Sequence, residues 1–164
     1  MNDLVLDELF PLQRGLDEEI QAKHHVSYED THYKRILALL VELGEFANET
    51  RCFKFWSEKP ASEKAVILDE YADGMHFFLS LGLPLGVETY THKFKPDQAE
   101  LTLQILQTYA LVSALLEKYD EKTYARAFGS FLNLLPLLGY TGEEAVAAYK
   151  KKLGVNYQRQ EAHY

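Results

Sequence analysis

Residues 36–49 read ILALLVELGEFANE, and the fold class turns on them. Ile36, Leu39, Leu40, Leu43 and Phe46 recur three and four residues apart, the period of a helix with one face turned to a core, and Val41 widens the stripe. Glu42, Glu45 and Glu49 fall on the same turns. Side chains three and four apart meet on a helix surface, so these acids form a line of their own along an apolar segment.

The same period extends over about 4–23, 31–53, 61–81, 97–119, 121–137 and 142–153. No segment keeps a sustained alternating pattern. Asp30-Thr31, Ser62 after Pro60, and Pro96-Asp97 are start signals, and Thr141 followed by Glu143 and Glu144 places negative charge at a helix N-terminus. The stretch LGLPLGVETYTHKF, residues 81–94, is the one long connection, and its aromatic, Gly and Pro content suggests a packed, hairpin-like crossing. The expectation is an all-α fold: one domain over residues 1–164, built as a bundle of five or six helices.

Composition narrows the partners. The chain is 47% hydrophobic with a formal charge of -8, so it lacks the basic surface that binding a nucleic-acid duplex requires. The longest apolar stretches, FFLSLGLPLGV and FLNLLPLLGY, fall short of the roughly 20 residues a bilayer span needs. The single Cys52 cannot form an internal disulfide, and the start MNDLVLDELF is acidic where a signal peptide would be basic. A cytoplasmic protein with no membrane partner is the expectation.

A second acidic pair, Glu70 and Asp73, repeats the spacing of Glu42 and Glu45 on the following helix, again with apolar neighbours, Val66, Ile67 and Phe77. Half-buried carboxylates that face each other lose hydration and repel, so four of them need a compensating charge. A divalent cation supplies it, and magnesium, which prefers hard oxygen ligands and keeps exchangeable positions, suits substrate phosphates. A single acidic pair would more often be a solvated helix face. Two pairs on successive apolar helices, with no Lys or Arg four residues away, favour a metal cage. A di-iron bundle normally needs a Glu-x-x-His on each of two helices, whereas Asp73-x-x-His76 occurs once. The densest basic stretch, AYKKKLGVNYQRQEAHY, carries Lys150, Lys151, Lys152 and Arg159, groups suited to phosphate oxygens or simply to a helix C-terminus.

Taken together, Leu12-Gln13 with Leu16-Asp17, Glu42-x-x-Glu45 followed by NETRCFKFW, Glu70-x-x-Asp73 followed by GMHFFLSLG, and Lys152, Asn156, Arg159-Gln160 and Tyr164 resemble the all-α dimeric dUTPase family. This family belongs to the wider group of helical nucleoside triphosphate pyrophosphatases that includes MazG-like proteins. The resemblance implies hydrolysis of dUTP to dUMP and pyrophosphate, with Mg2+ held by Glu42, Glu45, Glu70 and Asp73. It implies a proton acceptor among Glu45, Glu42 and Glu49, with Glu45 first. Gln13 would read uracil, its amide complementing O4 and N3–H, and Trp56 would form an aromatic wall. His76 and Phe77 would enclose the base and deoxyribose, and Lys152, Asn156, Arg159 and Tyr164 would contact phosphates. Asn48, Lys54 and Lys59 are further contacts. A homodimer is implied, with residues near Trp56 reaching the neighbour's pocket, and dUDP is a second candidate substrate.

This chain has Asp17 where the family commonly has an amide, and His163 where a Gly commonly precedes the last tyrosine. Two other readings stay open: the same cage serving dCTP or another nucleotide, and a non-catalytic helical interaction protein.

Overall fold

The computed structural model describes residues 1–163; Tyr164, expected among the phosphate contacts, lies outside the described residues. The chain forms β1 (Leu4–Val5), α1 (Leu9–His24), α2 (Tyr28–Thr50), α3 (Lys64–Gly82), β2 (Thr91–His92), α4 (Leu101–Ser113), α5 (Glu121–Leu132), α6 (Leu134–Leu138) and α7 (Gly142–Glu161). Six of these helices are 12 residues or longer, and α6 is a short segment of 5. The fold is an all-α bundle. Among the described residues no helix is long and apolar enough to cross a membrane.

Helix α2 begins one turn before the Asp30-Thr31 signal. Ser27 accepts from the backbone of Asp30 while the Asp30 carboxylate accepts from the backbone of Ser27, a capping box that satisfies two N–H groups at once. Thr141 and Glu144 open α7 in the same way. Helix α3 returns alongside α2, because Arg35 meets Ser80, Glu42 and Glu45 meet Glu70, and Glu49 meets Ser62. That order of contacts makes the pair antiparallel and brings the two acidic pairs to one level.

Four of the differences from the expected boundaries each have a local reason. Residues 4–5 are not helical but pair antiparallel with β2, Leu4 opposite His92 and Val5 opposite Thr91, a bridge too short to show alternation. Helix α4 starts at Leu101 and not near 97, since Asp97 and Gln98 are tied to Gln107 and Gln104 by their own hydrogen bonds. The expected helix 121–137 is interrupted at Asn133, whose side chain bonds His92 and both backbone groups of Lys95, while Pro136 has no N–H to give to Leu132. Helix α7 runs on to Glu161, past Gly154, where open space surrounds the backbone. A glycine costs a helix only about 1 kcal/mol relative to alanine, and the length of α7 outweighs it.

One contiguous core joins all the long helices, with Phe46, Tyr71, Met75, Phe78, Phe128 and Phe131 at its centre. The Tyr71 and Phe131 rings stack at 4.1 Å, and the Tyr71 hydroxyl donates to the Phe131 carbonyl. A Cβ on Gly74 would meet the Phe131 ring at 3.0 Å, so α3 is pressed against α5 beside the residue that carries the Asp73 carboxylate.

Candidate functional site

At the level where α2 faces α3, oxygen atoms of Glu42, Glu45 and Glu70 lie within 4.8 Å of one another. A second set, Asp69, Glu70 and Asp73, meets the same limit and shares Glu70. Oε2 of Glu42 and Oε2 of Glu70 are buried with no hydrogen-bond partner. Burial, together with repulsion from Asp73 and Glu45, pushes Glu42 up to about 8 and Glu70 up to about 7. Burial also raises Asp73, against the pull of the Lys152 and Arg159 charges. Two unpaired carboxylate oxygens in a cluster that resists ionisation are what a hard divalent cation would satisfy, so the donor set fits a metal.

Lys152 is the cation already present. Its side chain is buried and its Nζ donates to Asp69 at 2.9 Å, with Asp73 at 3.2 Å. Because α7 continues as a helix, Lys152, Asn156 and Arg159 recur four and three residues apart and share one face.

A cavity of about 270 Å³ opens beside this cluster, lined by Glu42, Asp73, Asn156 and Arg159 together with Gln13, Asp17, His76 and Phe77. Gln13 is buried and engaged on both sides. Its Oε1 accepts from the Tyr149 hydroxyl at 3.0 Å and from His76 Nδ1 at 2.6 Å, and its Nε2 donates to Asp17 at 2.9 Å. Burial holds His76 neutral, down to about 3, and its ring stacks on Tyr149 at 4.3 Å. With Nδ1 donating, Nε2 keeps its lone pair, and this atom too is buried without a partner.

Of the residues expected from the sequence, Glu42, Glu45, Glu70 and Asp73 converge, and Gln13, His76, Phe77, Asn156 and Arg159 line the adjoining cavity. Glu49 stands apart, its carboxylate accepting from the Ser62 hydroxyl in the α2–α3 connection. Trp56 lies in that connection too, 65% exposed, with its ring edge-on to Phe53 and Phe55, and it does not line the cavity of its own chain. Asn48 and Lys59 are exposed, and the Lys54 ammonium lies over the Phe53 ring. Sequence reasoning passed over Asp69 and Tyr149. Asp69 stands four residues before Asp73, a spacing that puts both on one face, so that signal was available. For Tyr149 there was none.

An all-α bundle that sets acids from two antiparallel helices beside a cavity holding arginine and amide groups defines a helical hydrolase of phosphate anhydrides. The chain belongs to the dUTPase family, in its all-α form: a family model described as dUTPase matches residues 5–164, and hydrolysis of dUTP is its activity. Among curated proteins, none matches the chain.

Proposed function

We propose that the chain hydrolyses dUTP to dUMP and pyrophosphate using magnesium held by Glu42, Glu45, Glu70 and Asp73. The observation that carries this reading is the pair of unpartnered oxygens, Glu42 Oε2 and Glu70 Oε2, beside a cavity that Gln13 also lines. Magnesium there supplies charge neutralisation and Lewis acidity for the triphosphate. Arg159 and Asn156 face the phosphates from α7, and Lys152 adds its ammonium from the previous turn. Glu45, the exposed member of the set, takes the proton of the attacking water as the new P–O bond forms and the anhydride bridge between the α- and β-phosphorus breaks. Glu42 is the second candidate for this step. Glu49, bonded to Ser62, serves better as a brace for the α2–α3 connection.

At the base end, both lone pairs of Gln13 Oε1 are occupied, so the two-point pairing expected of a free amide narrows to one N–H donor for a uracil carbonyl. His76 Nε2 offers the lone pair that the base N3–H needs. Phe77 covers the sugar side.

The active form in this reading is a homodimer in which Trp56, 65% exposed and outside the cavity of its own chain, lines the cavity of a second copy. The exposed Leu37 and Val41 on α2 and Leu103 and Leu106 on α4 are the apolar surface for it, since Tyr109 bonds α4 directly to α2 through the Leu40 carbonyl. Sedimentation showing only monomer at working concentrations would remove Trp56 from the site.

The decisive experiment is pyrophosphate release from dUTP, dCTP, dTTP and UTP in parallel, with and without magnesium. dUTP is expected to be the best substrate and magnesium to be required. Equal rates on dCTP would overturn the assignment of the base pocket, and full activity in EDTA would overturn the cage.

A further inference from the structure

The two acid sets share Glu70 but are neutralised differently. In the set of Glu42, Glu45 and Glu70, Oε2 of Glu42 and Oε2 of Glu70 have no partner. The set of Asp69, Glu70 and Asp73 already holds a cation of the chain's own: Nζ of Lys152 lies 2.9 Å from Asp69 Oδ2, 3.2 Å from Asp73 Oδ1 and 3.4 Å from Asp73 Oδ2. The ammonium therefore straddles both oxygens of the Asp73 carboxylate. Lys152 is the only buried lysine among the described residues, and it stands on α7 where that helix packs along α3, so its charge is committed to these acids. Yet Asp73 is also one of the four carboxylates assigned to magnesium. A metal ion and an ammonium brought to one carboxylate compete for its oxygens and repel each other, and burial leaves little water or salt to screen them.

We infer that Lys152 is a positioning residue that withholds Asp73 from the metal in the nucleotide-free protein. This rests on the proposed reading of the acids as a magnesium cage. Three carboxylates, Glu42, Glu45 and Glu70, are open to an incoming ion, and the fourth joins them only when the ammonium gives it up. Metal affinity is thereby held below what four free carboxylates would give. The phosphate oxygens of a bound triphosphate are suited to receive the displaced ammonium, since a charged N–H donor bonds them as strongly as it bonds a carboxylate.

The test is calorimetric titration of the nucleotide-free protein with Mg2+ and with Mn2+, for the wild type, Lys152→Gln and Lys150→Gln, with thermal melting to show that each variant folds. Lys150 stands on the same helix but is half exposed and pairs with Glu8 at 2.9 Å, so its loss removes an equal charge away from the cluster. Lys152→Gln is expected to bind metal about 10- to 100-fold more tightly than the wild type, and Lys150→Gln within about 2-fold of it. Equal affinities in the wild type and Lys152→Gln, or a gain as large in Lys150→Gln, overturn the inference. Should Lys152→Gln fail to fold, the wild type decides through heteronuclear NMR of its lysine ammonium groups. The one slowly exchanging signal, that of buried Lys152, is expected to exchange faster with water as Mg2+ saturates the protein, and exchange that stays slow counts against the competition. Metal that binds neither the wild type nor the variant overturns the reading of the acids as a cage, a different result from a metal-binding protein whose affinity is indifferent to Lys152.

Discussion

The two parts of the site, the Gln13 network as its base end and the acidic cluster as its acid end, are built on different principles. At the base end, Gln13, Asp17, Tyr28 and Tyr149 satisfy one another at 2.9 to 3.0 Å, and a single buried atom, His76 Nε2, keeps no partner. At the acid end, Glu42 and Glu70 keep oxygens without partners and hold their protons well above the ordinary carboxylate range. A satisfied network is rigid before the ligand arrives and selects by shape and donor pattern. An unsatisfied cluster binds whatever brings the missing charge. In the proposed reading, selection belongs to the first end and cation-dependent chemistry to the second.

Removing one acid should separate the two ends most sharply. Glu70→Gln is expected to cut hydrolysis of dUTP roughly 100-fold or more, the scale for losing an electrostatic group at a reacting centre. Melting of the metal-free variant should be no lower than that of the wild type, because an amide relieves the repulsion around Glu70. Pyrophosphate release and thermal melting on one sample check both halves. A variant that keeps wild-type rates would remove Glu70 from the cage.

A smaller effect is expected at the junction between the ends. Lys152→Met leaves Asp69 and Asp73 without their ammonium partner. Breaking a fully buried pair costs about 3–5 kcal/mol, but Asp69 is half exposed, so about 1–3 kcal/mol fits this site better. Added magnesium should restore part of the loss, since it brings positive charge to the same carboxylates. Calorimetry with and without magnesium reads this directly, and a loss of stability that magnesium leaves untouched would show Lys152 to be a packing residue only.

The acidic pairs were legible from local spacing, whereas Gln13, His76 and Phe77 entered through the family resemblance and their mutual contacts were not legible, for a physical reason. Glu42 with Glu45, and Glu70 with Asp73, are pairs three residues apart, and helical geometry alone puts each pair on one face. The partners of Gln13 lie far along the chain, His76 on α3 and Tyr149 on α7, and they meet only through the packing of three helices. The same holds for Lys152 with Asp69. The interruption at Asn133 and the pairing of Leu4 with His92 likewise depend on contacts between distant segments, which local period does not carry. Glu49 and Trp56 lie outside the cavity lining of their own chain. Glu49 is bonded to Ser62, and Trp56 follows the left-handed residue Arg51, φ 58°, in the α2–α3 connection.

The smallest effect concerns pH, where the two ends pull in opposite directions. Glu42 and Glu70 have folded pKa values of about 8 and about 7 against 4.5 when unfolded. The folded state therefore binds the extra protons, and the stability they bring is lost as pH rises from about 4.5 through 7 and 8. His76 is lowered from 6.5 to about 3, so the unfolded state binds its proton first and stability is lost as pH falls below 6.5. Between about 4.5 and 6.5 the two trends oppose each other. Above 6.5 only the acids still titrate, and the metal-free protein should lose stability up to about pH 8. Solvent screening at these half-buried groups limits the change to about 1–2 kcal/mol, a fall of a few degrees in Tm. Magnesium should flatten this limb, because a bound cation favours the ionised carboxylates at every pH in the window. Melting curves from pH 6.5 to 8 in EDTA and in magnesium measure the difference between them. A metal-free Tm that stays level or rises over that range would mean that Glu42 and Glu70 are already ionised in the folded protein, and the contrast between the two ends would then be one of hydrogen bonding alone.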